Sequence, residues 1–117
     1  MIETNNKHPC PTELVIQLIS GKWKLYILKN LMGGKKRFSE LHRAIPGITH
    51  RMLTKQLREL EACGLVKRTL YPVVPPVVEY ELTEIGKSLD KLFEAMHQWG
   101  IEYLKSVENY KCVDELK

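Results

Sequence analysis

The sequence predicts a mainly α-helical domain that carries one small β-hairpin and ends in a long helix, and three features carry that expectation. Four segments before Gly64 place apolar residues at helical spacing, the stretch from Leu65 to Leu82 alternates instead, and an apolar seam with a 3.5-residue period follows Thr83. At 117 residues the chain reads as a single domain, 1–117. Within it, 1–9 form an N-terminal arm, 83–105 a C-terminal helix and 106–117 a flexible tail.

The elements follow in order. Pro11 and Thr12 open a first helix with Leu14, Val15, Leu18 and Ile19 on its apolar side, and Ser20-Gly21 ends it. In KWKLYILKNLMGG, Trp23, Ile27, Leu28 and Leu31 recur at helical spacing, and Gly33-Gly34 offers the positive φ that closes a helix. Ser39 is the expected cap of a short third helix in which Leu41 and Ile45 point inward. Pro46-Gly47 turns the chain. A fourth helix then runs from a Thr49 cap to a stop at Gly64.

That fourth helix has two faces. Leu53, Leu57 and Leu60 form one narrow apolar stripe, and Arg51, Lys55 and Arg58 repeat the same spacing. At about 100° per residue the two rows are opposed, with Thr54 at the edge of the basic one. Like charges four apart repel, so a helix selected only for stability would interleave Glu. A partner that repays the repulsion explains the row better than a plain solvated face. Arg, Lys and Thr beside a positive helix N-terminus suit phosphates and base edges in a major groove.

The charge distribution supports the same partner. Net charge is only +4, yet Gly21 to Tyr71 holds twelve Lys or Arg against three Glu, while the rest holds six against eleven acids. Since the Debye length is about 8 Å at cellular salt, a partner meets the local field. The middle of the chain is built for a polyanion.

After Gly64 the period becomes two. Leu65, Val66 and Leu70 lie in a first strand, and VVEYEL alternates with Val78, Tyr80 and Leu82 on one face. Between them Pro72, Pro75 and Pro76 remove ladder donors and stiffen a projecting tip. Three helices, a longer fourth and a hairpin make the order of a winged helix-turn-helix, in which the fourth helix enters the groove and the hairpin flanks it.

From Thr83 to about Tyr103 the seam Ile85, Leu89, Leu92, Met96, Trp99 and Tyr103, widened by Phe93, Ile101 and Leu104, asks for another helix. The chain's own first two helices are one candidate. A second copy is the favoured one, because dimers gain paired half-sites on duplex DNA.

Other classes find little support. No run is long and apolar enough to cross a bilayer, and MIETNNKHPC lacks the apolar core of a secretion signal, so the expected location is the cytoplasm. Three cysteines, at 10, 63 and 112, include no C-x-x-C and do not form a disulfide framework or a zinc site. His8, His42, His50 and His97 are scattered, no Ser or Cys has an adjacent acid and base, and the glycines form no phosphate loop. No enzyme, cofactor or metal is expected. A rival class survives: a winged helix that presents its basic helix to an acidic protein.

CPTELVIQLISGKWKLYIL, followed by RFSELHRAIPGITHRMLTKQLRELEACGLVKRTLYPVVPPVVEYELTEIGKSL, resembles the HxlR-type family of bacterial winged-helix transcription regulators. The likeness runs from about Cys10 to Trp99, and its most specific parts are GKW, RFSEL, GIT, LTKQLREL and PPVVEYELTEIG. It implies a homodimer without enzymatic activity that binds an inverted repeat in duplex DNA, the seam residues Ile85, Leu89, Leu92, Phe93, Met96, Trp99 and Tyr103 forming the interface. Carried over by position, the reading helix is 49–61, with Thr49, His50, Arg51, Thr54 and Lys55 toward DNA, and Arg37 and Ser39 on phosphates; Arg58 joins them from the basic row. Family members often carry a charge at the positions of Val73 and Val77. Here the wing is apolar, which leaves Lys67 and Arg68 as its cations.

Several relatives use a cysteine placed like Cys10, just ahead of the first helix, as a sensor of oxidants or electrophiles. A helix N-terminus and nearby Lys7 favour the reactive thiolate there; a small buried thiol is the ordinary alternative. Cys112 is a candidate for cross-linking a dimer. Nothing in the sequence names the operator, the regulated gene or a small-molecule effector.

Overall fold

The computed structural model of the protein describes residues 10–107. The arm at 1–9 with Lys7 and His8, and positions 108–117 of the expected tail with Cys112, lie outside them. Contacts divide the chain between Lys87 and Ser88 into two compact units.

In the first unit, helix α1 (Pro11–Ile19) begins where Pro11 takes the first position and Cys10 the N-cap, the Cys10 Sγ accepting the Glu13 N–H at 3.4 Å. None of its residues is buried; Leu14, Val15, Leu18 and Ile19 are half-buried. Helix α2 (Lys22–Leu31) buries Ile27, Leu28 and Leu31. Of the two glycines after it only Gly34 takes a positive φ, so Gly33 is an ordinary residue of the turn.

Strand β1 (Lys36–Arg37) leads into α3 (Phe38–Ala44), which buries Leu41. Ser39 is not the cap of α3. Arg37 holds that position, and its N–H donates to Glu40 Oε1 at 2.7 Å, because the chain leaves a strand pairing only at Arg37. Helix α4 (His50–Ala62) starts at the expected Thr49, whose Oγ1 accepts the Met52 N–H at 3.0 Å. It ends where Gly64, at φ +80°, takes a conformation that side chains with a Cβ rarely adopt.

Strands β2 (Val66–Tyr71) and β3 (Val77–Leu82) form the hairpin, from Val66 opposite Leu82 to Tyr71 opposite Val77. The expected two-stranded hairpin is in fact part of a three-stranded antiparallel sheet of order β1-β3-β2, because Lys36 and Arg37 pair with Tyr80 and Glu79. At the tip Val74 is 99% exposed.

The core lies where α2, α3 and α4 meet each other and the sheet. Leu53, Leu57 and Leu60 of α4 are at most 1% exposed, beside Ile45, Ile48, Leu65, Val66, Tyr80 and Leu82. Each such leucine contributes about 1.5–3 kcal/mol by leaving water, so this stripe fixes which way α4 faces.

The segment expected as one helix from Thr83 is divided into α5 (Glu84–Lys87) and α6 (Leu89–Ser106). The short α5 is tied to the end of α4. Thr83 Oγ1 donates to the Gly64 carbonyl at 2.6 Å and accepts the Gly86 N–H at 3.1 Å. Gly86 is buried so close to Leu65 that a Cβ there would collide with the Leu65 carbonyl oxygen. Ile85 is on α5, which belongs to the first unit, and the other seam residues are on α6.

Helix α6, with residues 88 and 107, accounts for the described part of the second unit, and none of the helix's residues is buried. Trp99 is 68% exposed and stacks on Tyr103, ring centroids 5.2 Å apart and nearly parallel. Met96 and Leu104 are exposed; Leu89, Leu92 and Phe93 are half-buried.

Candidate nucleic-acid interface

Burial of the α4 leucines turns the other side of that helix outward. Arg51, Lys55 and Arg58 are all exposed, and none makes an ion pair within 4.0 Å among the described residues. With Thr49, His50, Met52, Thr54 and Glu59 they line an open surface concavity of about 880 Å³. Thr49 caps the helix, which leaves other N–H groups of the first turn at that end free to meet an anion.

Two expected contacts are already committed in part. Thr54 is half-buried and its hydroxyl donates to the His50 carbonyl at 2.9 Å, so toward an external group the oxygen can only accept. His50 is exposed, but its ring lies 5.4 Å from Phe38 and 4.1 Å from His42, centroid to centroid. His42 is a residue that sequence spacing missed. It stands eight positions from His50, and the turn between α3 and α4 brings the two rings together.

The wing cations part company. Adjacent residues of a strand point to opposite faces, so Lys67 and Arg68, both exposed, do not converge. Arg68 shares the parity of buried Val66 and lines a cleft between α4 and the hairpin with Phe38, Thr54, Arg58, Glu61 and Tyr80. Arg37 and Ser39 are exposed at the start of α3.

Carboxylates border the basic row on both sides. At about 100° per residue, Glu59 falls beside Lys55 and Glu61 beside Arg58. Glu59 is held by Lys24 of α2 at 2.6 Å. The hydrogen bond from Lys24 is the chief reason its carboxyl lies below the ordinary carboxylate value; partial burial opposes this, and the charges of Lys24 and Lys55 add to it.

Among the described residues no three His, Cys, Asp or Glu side chains cluster as metal ligands would, and no helix is long and apolar enough to cross a membrane. Cys10 is half-buried, with its Sγ 3.6 Å from Glu13 Oε1, and Cys63 is exposed; both are free thiols.

Residues 18–108 match the family model described as HxlR-like helix-turn-helix. The HTH-type transcriptional regulator YybR of Bacillus subtilis (strain 168) is 48% identical over 106 residues, which cover 91% of this chain and 85% of that one. Among solved structures, the redox regulator HypR in its reduced form superposes with a TM-score of 0.79 at 48% identity, covering 86% of this chain and 100% of that one. The reduced form of the transcriptional regulator YodB from B. subtilis gives 0.71 at 39% identity, covering 79% and 91%.

Proposed function

Because the chain belongs to the HxlR-like helix-turn-helix family and is a transcriptional regulator, not an enzyme, we propose that it binds duplex DNA through the outer face of α4. In this reading Arg51, Thr54, Lys55 and Arg58 meet phosphates and base edges, and Thr49 and His50 act at the helix N-terminus. Arg37, Ser39 and Arg68 hold flanking phosphates, with Lys67 on the other face of the wing. Two copies join through Leu89, Leu92, Phe93, Met96, Trp99 and Tyr103 of α6, and their paired reading helices match an inverted repeat. The regulator acts in the cytoplasm, where the chromosome is accessible.

One observation carries the reading: three exposed cations, none in an ion pair within 4.0 Å among the described residues, stand opposite three fully buried leucines on one helix. The test is the salt dependence of binding. Phosphate contacts release counterions, so log affinity for a duplex falls linearly with log salt, by about 0.9 per contact. A slope corresponding to several contacts supports the reading. Binding to an acidic protein surface with no measurable affinity for duplex would replace it with a protein-interaction role.

Cys10 is the proposed point of redox control. Support comes from its place at the N-cap of α1 and from the likeness to HypR and YodB, the former described as a redox regulator. Treatment with diamide or mild peroxide is expected to shift the mass of the Cys10 peptide and change duplex affinity together. An unmodified Cys10 with unchanged binding removes this part of the proposal.

A further inference from the structure

The basic face of α4 works only if its cations stay free, and Glu59 is the side chain best placed to capture one. It follows Lys55 by four residues, a spacing at which side chains on a helix pair directly. It also lines the same concavity as Arg51, Lys55 and Arg58. Yet Lys55 forms no ion pair among the described residues. The Glu59 carboxylate instead accepts a hydrogen bond from Lys24 Nζ at 2.6 Å, across 35 positions of sequence.

Lys24 is poorly placed to meet DNA itself. Its side chain is 15% exposed, against 42% for Glu59, and its ammonium is already occupied by that carboxylate. Beyond its net charge, any influence it has on a phosphate therefore passes through Glu59. The direct hydrogen bond outweighs the pull of Lys55 on the same carboxyl, as the order of effects on its ionisation also indicates.

We propose that Lys24 is a positioning residue for duplex binding: it holds the Glu59 carboxylate toward α2, and so leaves the Lys55 ammonium free for a phosphate. The inference rests on the reading of α4 as the duplex-binding face. Without Lys24, Glu59 turns to its i−4 neighbour, Lys55 is neutralised and one phosphate contact per protomer is lost.

A net-charge effect would also weaken binding, so the test must separate the two. Affinity for a short mixed-sequence duplex is measured against salt for Lys24→Met in the wild-type and Lys55→Met backgrounds. In the wild-type background the substitution lowers affinity about three- to tenfold and reduces the salt slope by about one contact. In the Lys55→Met background the loss shrinks to the net-charge part alone, because the cation that Glu59 would capture is gone. Glu59→Gln restores the affinity of Lys24→Met, and Lys24→Arg, which keeps the pair, stays close to wild type. Far-ultraviolet dichroism and thermal unfolding of each variant confirm that the fold persists.

Equal losses in both backgrounds would assign the effect to charge alone and overturn the proposal. So would wild-type affinity in Lys24→Met. If the wild-type chain shows no salt-dependent affinity for duplex, the reading of α4 falls and this inference falls with it; steep wild-type binding with an inert Lys24 removes the inference alone.

Discussion

Helices α4 and α6 are both amphipathic, but their apolar stripes have opposite fates. The leucines of α4 are at most 1% exposed, whereas no residue of α6 is buried and Trp99 stands 68% exposed. A helix whose apolar stripe is satisfied within its own unit has only its polar face to offer a partner. Where the apolar stripe remains open, that stripe is the available surface. In the proposed reading the difference separates two roles: α4 for a charged duplex, α6 for a second copy of the chain.

The comparison is broken most forcefully at Leu57. Leu57→Ala removes a fully buried side chain and is expected to cost about 2–5 kcal/mol of folding stability, read by denaturant unfolding. A loss below about 1 kcal/mol would mean that the stripe does not anchor α4. Reversal of charge on the other face acts on binding instead. Arg51→Glu or Lys55→Glu is expected to reduce duplex affinity at least about a hundredfold, close to 2.7 kcal/mol, with unfolding shifted by less than about 0.5 kcal/mol. Retained binding in a gel shift would contradict the placement of the reading helix.

On α6 the effect should fall on association. Trp99→Ala is expected to weaken self-association about tenfold or more, near 1.4 kcal/mol, measured by sedimentation at several concentrations. An unchanged oligomeric state would remove α6 as the interface. The smallest effect concerns acid. Lys24 holds the Glu59 carboxyl below its ordinary value, so the pair contributes stability above that ordinary value. This contribution is lost as pH falls through the lowered folded value. The pair is partly exposed and worth under about 1 kcal/mol; Glu59→Gln should therefore flatten acid unfolding only slightly, and a large change would show the pair to be structural.

Much of this was legible in the sequence because it is local. Pro11, Thr49 and Gly64 mark helix ends through their own backbone and side-chain chemistry, and the opposed rows of α4 follow from helical geometry alone. What escaped depends on distant partners. Strand β1 is two polar residues whose pairing partners lie over forty positions away, so no alternation announces it, and the cap of α3 moves from Ser39 to Arg37 as a result. The turn at Ser88 before α6 and the packing of α5 were equally hidden. Apolar periodicity runs through Ile85, but Gly86 must approach the Leu65 carbonyl, a contact that periodicity does not encode. The Lys24–Glu59 pair and the His42–His50 contact join different helices and carry no spacing signal.

The contrast between the two helices can be read in a single titration. Isotope-labelled chain is followed by amide resonances as a mixed-sequence duplex is added at a concentration where the chain is already self-associated. Shifts concentrated on Thr49 to Arg58 and around Arg68, with Leu92 to Tyr103 unmoved, are the expected result. Shifts centred on α6, with the α4 amides silent, would contradict the division of roles between them.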